Sequence, residues 1–419
     1  MTRRYVAIAA AMAIGAMTIA ACGSGNGPSS GNTSASTLSV GYLTPLTSSV
    51  AANGLQEKQG WNLAMRQFGS RVDGHPIVTY FEDTGDSPTV ALSDARYLVQ
   101  SKHVNVVEGP LLASQIAPVA KYLGPLGIPL DNLAICSASQ LTEDAKYGNA
   151  LSSGWVCDTP DIIAADYMYG LGYRHVTVVA TDYAFGWLSA GGFITRFTQL
   201  GGHIDKTLWP PLTATDFSPY VSAIPRTTQA VFTESLGTGA VDFTKAYAQY
   251  GLRGKIPLIG NTTTFDYSVL PHEAASSVLG DVMLAQYCDG IDTPANNSFV
   301  SAFTAAYGTR PGYYAEVGYV HAELLINAIK KLGGNFSDPS RLAHALKTTT
   351  ITAPRGPVTL DARTFGPIQN VYACKVTSVN GTLENVPFKT WTAVQPWGTL
   401  SYSSWLSAFQ SDSTGPPST

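Results

Sequence analysis

An α/β fold with parallel sheets is predicted by three observations. Short apolar, β-rich runs recur from residue 38 (LSVGYL, IVTYFED, VNVVEG, HVTVVAT, QAVFTES and IPLIG), several of them nearly continuous, as parallel strands covered on both faces are. Amphipathic stretches separate them, and strands alternating with helices build parallel sheets. The runs end in GYLTPLT, EDTGD, EGPLLASQ, ATDYAFG, TESLGTG and GNTTTF, all rich in Gly, Ser, Thr or Asp. In open α/β sheets ligands bind beyond such carboxyl ends, although loop and N-cap chemistry alone also places hydroxyls there.

Taken in order, the chain opens with a basic MTRR followed by an apolar, alanine-rich stretch over 5–21. That stretch is short for a spanning helix and ends in small residues, so 1–21 reads as an export signal. Ile19-Ala20-Ala21-Cys22 resembles a bacterial lipobox, which makes Cys22 the expected lipidation site and new N-terminus. Residues 22–37 carry no large apolar side chain after Cys22 and read as a flexible Gly/Ser tether. Gly27-Pro28-Ser29-Ser30-Gly31 matches G-x-S-x-G, but a tether lacks the strand–turn–helix elbow that gives the motif chemistry. Trp61, Ala64, Met65 and Phe68 fall at helical spacing and form one core-facing stripe. Val317, Val320, Leu324 and Ala328 repeat the pattern before Gly333-Gly334 ends the helix.

The roughly 380 residues after the tether suffice for two lobes with full cores. Net charge is −4, or −6 once Arg3 and Arg4 leave with the signal, and no basic run marks a nucleic-acid binder. Apart from Cys22, four cysteines remain, an even number that favours disulfides in an exported protein. Three pairings are possible, and sequence order suggests Cys136–Cys157 and Cys288–Cys374. No C-x-x-C or H-E-x-x-H occurs, PHEAAS lacks a second histidine, and Gly254-Lys255 lacks the upstream glycine of a phosphate loop. Seven scattered histidines give no ligand spacing, so neither metal, cofactor nor enzymatic activity is expected.

Several stretches resemble one family in the correct order: VGYLTPLTSSVAANG, EDTGDSPTVALSDARYLV, EGPLLASQIAPVAKYLGPLGIPL, ATDYAFG, ATDFSPYVSAI and RPGYYAEVGYVHAELLINAI. They are similar to the type I periplasmic solute-binding proteins of the branched-chain amino acid and amide class, which serve ABC importers. The resemblance covers residues 38 to about 382. It implies two Rossmann-like lobes joined by a three-segment hinge, with ligand in the cleft. The N-lobe would comprise 38–157 and 288–372, and the C-lobe 158–287 and 373–382. Residues 383–419 form an extension that the resemblance does not explain; its three tryptophans are expected to pack on a lobe. The Cys288–Cys374 pair would lie near the hinge crossings.

The resemblance also implies a pocket. Ala113, with neighbouring Ser114, and Ile135, with Ser137, stand where the family holds a ligand carboxylate by hydroxyls and N–H groups, while both serines also suit helix caps. Across the cleft, Phe185, Leu236 and Tyr314 match side-chain contacts, and Asn53 replaces an apolar or aromatic residue. Thr262 stands where an acid grips the α-ammonium group; Glu234, Asp182 or Asp266 would have to replace that acid from a neighbouring loop. A desolvated ammonium without a carboxylate loses a bond worth roughly 1.5–3 kcal/mol, besides the cost of uncompensated burial. The expectation is a monomeric, membrane-anchored extracytoplasmic lipoprotein that delivers an amide, aromatic acid or other carboxylate to an ABC permease. Amino acid binding, or sensing for a membrane receptor, is the alternative.

Overall fold

The structure, a computed structural model, describes residues 36–412 and 414–417. The signal, Cys22 and the tether through residue 35 lie outside the described residues. The chain runs β1 (Leu38–Thr44), α1 (Ala51–Phe68), β2 (Arg71–Val72), β3 (His75–Asp83), α2 (Pro88–Lys102), β4 (Val106–Glu108), α3 (Ala113–Leu123), β5 (Leu130–Ile135), α4 (Ala138–Tyr147) and β6 (Ala150–Val156). These strands form one sheet in the order β2-β3-β1-β4-β5-β6, parallel except for the β2–β3 hairpin.

The second layer follows as α5 (Thr159–Gly170), β7 (His175–Ala180), α6 (Ala184–Gln199), β8 (His203–Leu208), α7 (Ser218–Ser222), β9 (Ala230–Glu234), α8 (Thr238–Gln249), β10 (Leu258–Asn261), α9 (Ala275–Val278) and β11 (Val282–Ala285). Then α10 (Pro294–Tyr307), α11 (Tyr313–Lys331) and α12 (Pro339–Lys347) return to the first sheet, where Val320 and Leu324 pack with Val40 and Trp61. The chain finishes with β12 (Ile351–Ala353), β13 (Gly356–Leu360), β14 (Pro367–Val379), β15 (Thr382–Val394) and α13 (Tyr402–Asp412). The second sheet runs β12-β13-β14-β11-β10-β9-β7-β8, with β15 on β14.

The six runs read from sequence lie in β1, β3, β4, β7, β9 and β10. The second sheet is mixed, because β14 lies antiparallel to β11 and carries β15 antiparallel on its other edge. About a third of the unexplained extension is therefore sheet, and α13 closes it by packing on α6 and touching α4. Trp405 and Phe409 are fully buried there.

Local rules account for the helix starts. Ser87, Thr293 and Asp338 cap α2, α10 and α12, each followed by proline at the first helical position. The α1–α11 crossing needs glycine. A Cβ at Gly60 would overlap the Ala315 carbonyl, and one at Gly318 would overlap that of Glu57, so the two backbones touch. Cys136–Cys157 joins the ends of β5 and β6, and Cys288–Cys374 ties the segment after β11 to β14, with Cα separations of 5.2 and 6.6 Å.

Candidate functional site

The carboxyl ends of both sheets face one cleft. From the first lobe it is lined by Leu111, Leu112 and Ala113 at the start of α3, by Leu133, Ala134 and Cys136 around the end of β5, and by Trp155 and Cys157 at the end of β6. The second lobe contributes Tyr183 and Phe185 at the start of α6 and Leu236 after β9; Tyr314 of α11 completes the wall. The lobes meet. Trp155 and Phe185 approach to 5.2 Å between ring centroids, Asn53 Nδ2 donates to Ser268 Oγ at 2.8 Å, and the Tyr313 N–H donates to Asp266 Oδ2 at 2.5 Å. The space left between these side chains is about 10 Å³, roughly that of one water, so a ligand enters only when the lining parts.

The lining carries no charged side chain. Burial holds the Tyr183 and Tyr314 hydroxyls well above the usual phenol range, so both remain protonated. The Trp155 indole Nε1 is buried without a hydrogen-bond partner among the described residues, a donor that a ligand oxygen would satisfy. No side chain caps α3, which starts after Leu112, or α6, which starts after Tyr183. Ala113 and Phe185 of their first turns line the cavity, and the positive ends of two helix dipoles favour an anion there.

Ala113, Phe185, Leu236 and Tyr314 thus come together around one cavity. Ser114 follows Ala113 in the first turn of α3. Asn53 bridges the lobes through Ser268, and Ile135 is fully buried in the core beside the cavity. Ser137 caps α4, its Oγ accepting from the Gln140 N–H at 3.1 Å.

Thr262 belongs to a buried hydroxyl layer at the end of β10. It donates to Gln286 Oε1 at 2.7 Å, Thr263 donates to the Ser235 carbonyl at 2.8 Å, and Thr264 Oγ1 accepts from the Ser235 N–H at 3.1 Å. The threonines stitch β10 to the segment after β9 and to Gln286, satisfying backbone groups that burial would otherwise orphan.

None of the three acids considered as ammonium partners lines the cavity. Asp182 is exposed and accepts from Trp187 Nε1 at 2.9 Å. Asp266 is committed to the Tyr313 and Ser268 N–H groups. Glu234 accepts from the Thr181 N–H at 2.9 Å, and burial raises its pKa to about 7 against that hydrogen bond.

Sequence reasoning missed Trp155 and Tyr183. Tyr183 lay inside the quoted ATDYAFG strand end, whereas β6 reads ALSSGWV and gives no apolar run to mark Trp155.

Two α/β layers closing on an uncharged, aromatic cavity define a solute-binding protein. The family described as periplasmic binding protein matches residues 37–382, and the chain belongs to it. This is a non-enzymatic, extracytoplasmic family. The chain is 26% identical over 363 residues to Leu/Ile/Val-binding protein homolog 6 of Brucella melitensis, covering 85% of this chain and 92% of that protein. Among solved structures it is similar to a solute-binding protein of an ABC transporter from Rhodopseudomonas palustris BisB5 in complex with 3,4-dihydroxybenzoic acid. That likeness has a TM-score of 0.81 at 28% identity over 86% of this chain and 98% of the other. An R. palustris solute-binding protein in complex with benzoate matches with a TM-score of 0.77 at 25% identity, over 84% and 96% of the two chains.

Proposed function

We propose that this protein captures an aromatic carboxylate lacking an α-amino group and delivers it to the permease of an ABC importer, held at the membrane by lipid on Cys22. The observation that carries this reading is the wholly uncharged lining of a cavity walled by Trp155, Tyr183, Phe185 and Tyr314. Rings of that kind suit a flat apolar ligand body. The uncapped starts of α3 and α6, with the free Trp155 N–H, suit its carboxylate. The benzoate and dihydroxybenzoate carried by the two Rhodopseudomonas proteins support the same ligand class.

In this reading Phe185, Leu236 and Tyr314 grip the ring, while Ala113 and Ser114 offer N–H groups to the carboxylate. Asn53, Ile135, Ser137 and Thr262 serve from outside the lining, fixing the lobe contact, the core beside the cavity, the start of α4 and the end of β10. Branched-chain amino acid binding is the second reading, favoured by the name of the Brucella relative. It requires an acid for the ammonium group.

Thermal unfolding with matched ligands separates the two: benzoate, 4-hydroxybenzoate and 3,4-dihydroxybenzoate against phenylalanine and leucine. A ligand at 100 times its Kd adds about 2.7 kcal/mol. Stabilisation by phenylalanine or leucine, with none by the benzoates, refutes the proposal.

A further inference from the structure

His175 and His203 open the adjacent parallel strands β7 and β8 and are register partners, so their rings stand side by side with centroids 5.2 Å apart. They lie at the amino ends of the strands, the end of the sheet opposite the cleft. Asp205, two residues along β8, sits beneath them. Its Oδ1 lies 2.8 Å from His175 Nδ1 and 3.1 Å from His203 Nδ1. The side chains of the two histidines are 49% and 68% exposed, whereas that of Asp205 is only 5% exposed.

The carboxylate is held in place from behind. Thr227 Oγ1 donates to Asp205 Oδ2 at 2.9 Å, and Thr228 Oγ1 does so at 3.3 Å while also pairing with Thr177 Oγ1 at 2.6 Å. Gln229 Oε1 accepts from the backbone N–H groups of Arg174 and His175, fixing the start of β7. The neighbouring cations point elsewhere: Arg174 donates to the carbonyls of Tyr169 and Tyr173, and Lys206 to that of Ala223.

We propose that His175, His203 and Asp205 form a surface site for a borderline divalent transition-metal ion such as Zn²⁺, through both Nδ1 atoms and Asp205 Oδ1, with solvent in the fourth position. Metal–ligand bonds of about 2.0–2.2 Å in a tetrahedron set neighbouring ligand atoms roughly 3.3–3.5 Å apart. The two Nδ1–Oδ1 distances, 2.8 and 3.1 Å, need to widen by about 0.2–0.7 Å, the ligand atoms of the three side chains lie within 4.8 Å of one another, and two exposed rings can supply the adjustment. One carboxylate and two imidazoles select zinc, copper or nickel over calcium and magnesium, which want more oxygen ligands. The threonine hydroxyls play the orienting role that outer-shell partners play at metal sites. Linear spacing could not reveal the site, because strand pairing rather than sequence proximity brings the two histidines together.

The test is titration of the full chain, purified without a polyhistidine tag, with ZnCl₂ by calorimetry, and metal counting after equilibrium dialysis. One zinc per chain is expected. His203→Gln should weaken binding by more than about ten-fold and Thr227→Val by about ten-fold, within the range seen when outer-shell partners are removed. His272→Gln, away from the site, should leave binding unchanged, and CaCl₂ should give no saturable heat. No saturable zinc binding, or His203→Gln binding zinc as the unaltered chain does, overturns the proposal.

Discussion

Replacing Trp405 tests whether the C-terminal helix is an integral part of the fold. The indole is fully buried in α13, packed 4.8 Å from Phe409 and 5.9 Å from Tyr402 between ring centroids. Its Nε1 donates to Asp158 Oδ2 at 2.9 Å, at the point where the chain leaves the first lobe for the second. Removing a buried ring of this size costs about 3–5 kcal/mol. Trp405→Phe keeps most of the ring, and orphaning the buried acceptor should cost about 1–3 kcal/mol. The second variant also carries a pH signature. Burial raises the Asp158 pKa to about 8, with the indole N–H opposing the shift. An acid whose folded pKa is raised binds its proton in the folded chain but not in the unfolded one between about pH 4 and 8, so its contribution to stability falls as pH rises through that window. Above pH 8 the carboxylate is ionised and the lost bond is charge-assisted. The Trp405→Phe penalty should therefore be larger at pH 9 than at pH 5. Urea unfolding followed by far-ultraviolet circular dichroism measures both variants. A Trp405→Ala loss below about 1 kcal/mol, or a Trp405→Phe penalty greater at pH 5 than at pH 9, would refute this account.

Trp155→Phe should weaken benzoate binding by about ten-fold or more, since a hydrogen bond to a charged group is worth about 1.5–3 kcal/mol, while changing stability by less than about 1 kcal/mol; calorimetry with urea unfolding reads the split. Gly60→Ala should force α1 from α11 and cost about 1–3 kcal/mol, seen as a lower urea midpoint with an unchanged slope. The paired change Cys288→Ser, Cys374→Ser opens a loop whose ends are separated by 86 residues in sequence, and chain entropy sets its cost at up to about 4.5 kcal/mol. Equal stability of that variant and the unaltered oxidised chain would contradict the estimate.

The legible part of the fold was the part whose strands are apolar on both faces. HVTVVA and LSVGYLT announce themselves because helices cover both sides. β6 is also fully buried, yet its Ser152, Ser153 and Gly154 break the run. Ser152 Oγ donates to the Leu133 carbonyl and Ser153 Oγ to Asp131, so polar groups pay for their burial through partners that only the folded chain supplies. β15 hides for another reason. Pro387 interrupts it, but Pro387 stands opposite Cys374 beside a register shift on an outer strand, where the missing N–H is tolerated. The candidate site divides in the same way. Phe185, Leu236 and Tyr314 follow readable strand ends or a helix start, whereas Trp155 sits on the strand that composition conceals. The three threonines after β10 are unusual in sequence and ordinary in structure, since neighbouring backbone and Gln286 use their hydroxyls.

In the proposed reading, selectivity rests on what the lining withholds. An α-amino acid presents a carboxylate and an ammonium a few ångströms apart, and closure strips water from both. The carboxylate can be met by N–H groups at the starts of α3 and α6 without any cationic side chain. The ammonium has no matching compensation. Asp266 already accepts two backbone hydrogen bonds, Asp182 faces solvent, and Glu234 is turned toward Thr181 with its pKa raised to about 7 by burial. An unpaired buried charge costs several kcal/mol, and each 1.4 kcal/mol is ten-fold in affinity, so a neutral lining alone can separate a benzoate from phenylalanine by more than about a hundred-fold. On that proposal discrimination would need no repulsive group: a site suited to an aromatic acid would leave the amino acid's charge uncompensated, and closed lobes would keep water from rescuing it.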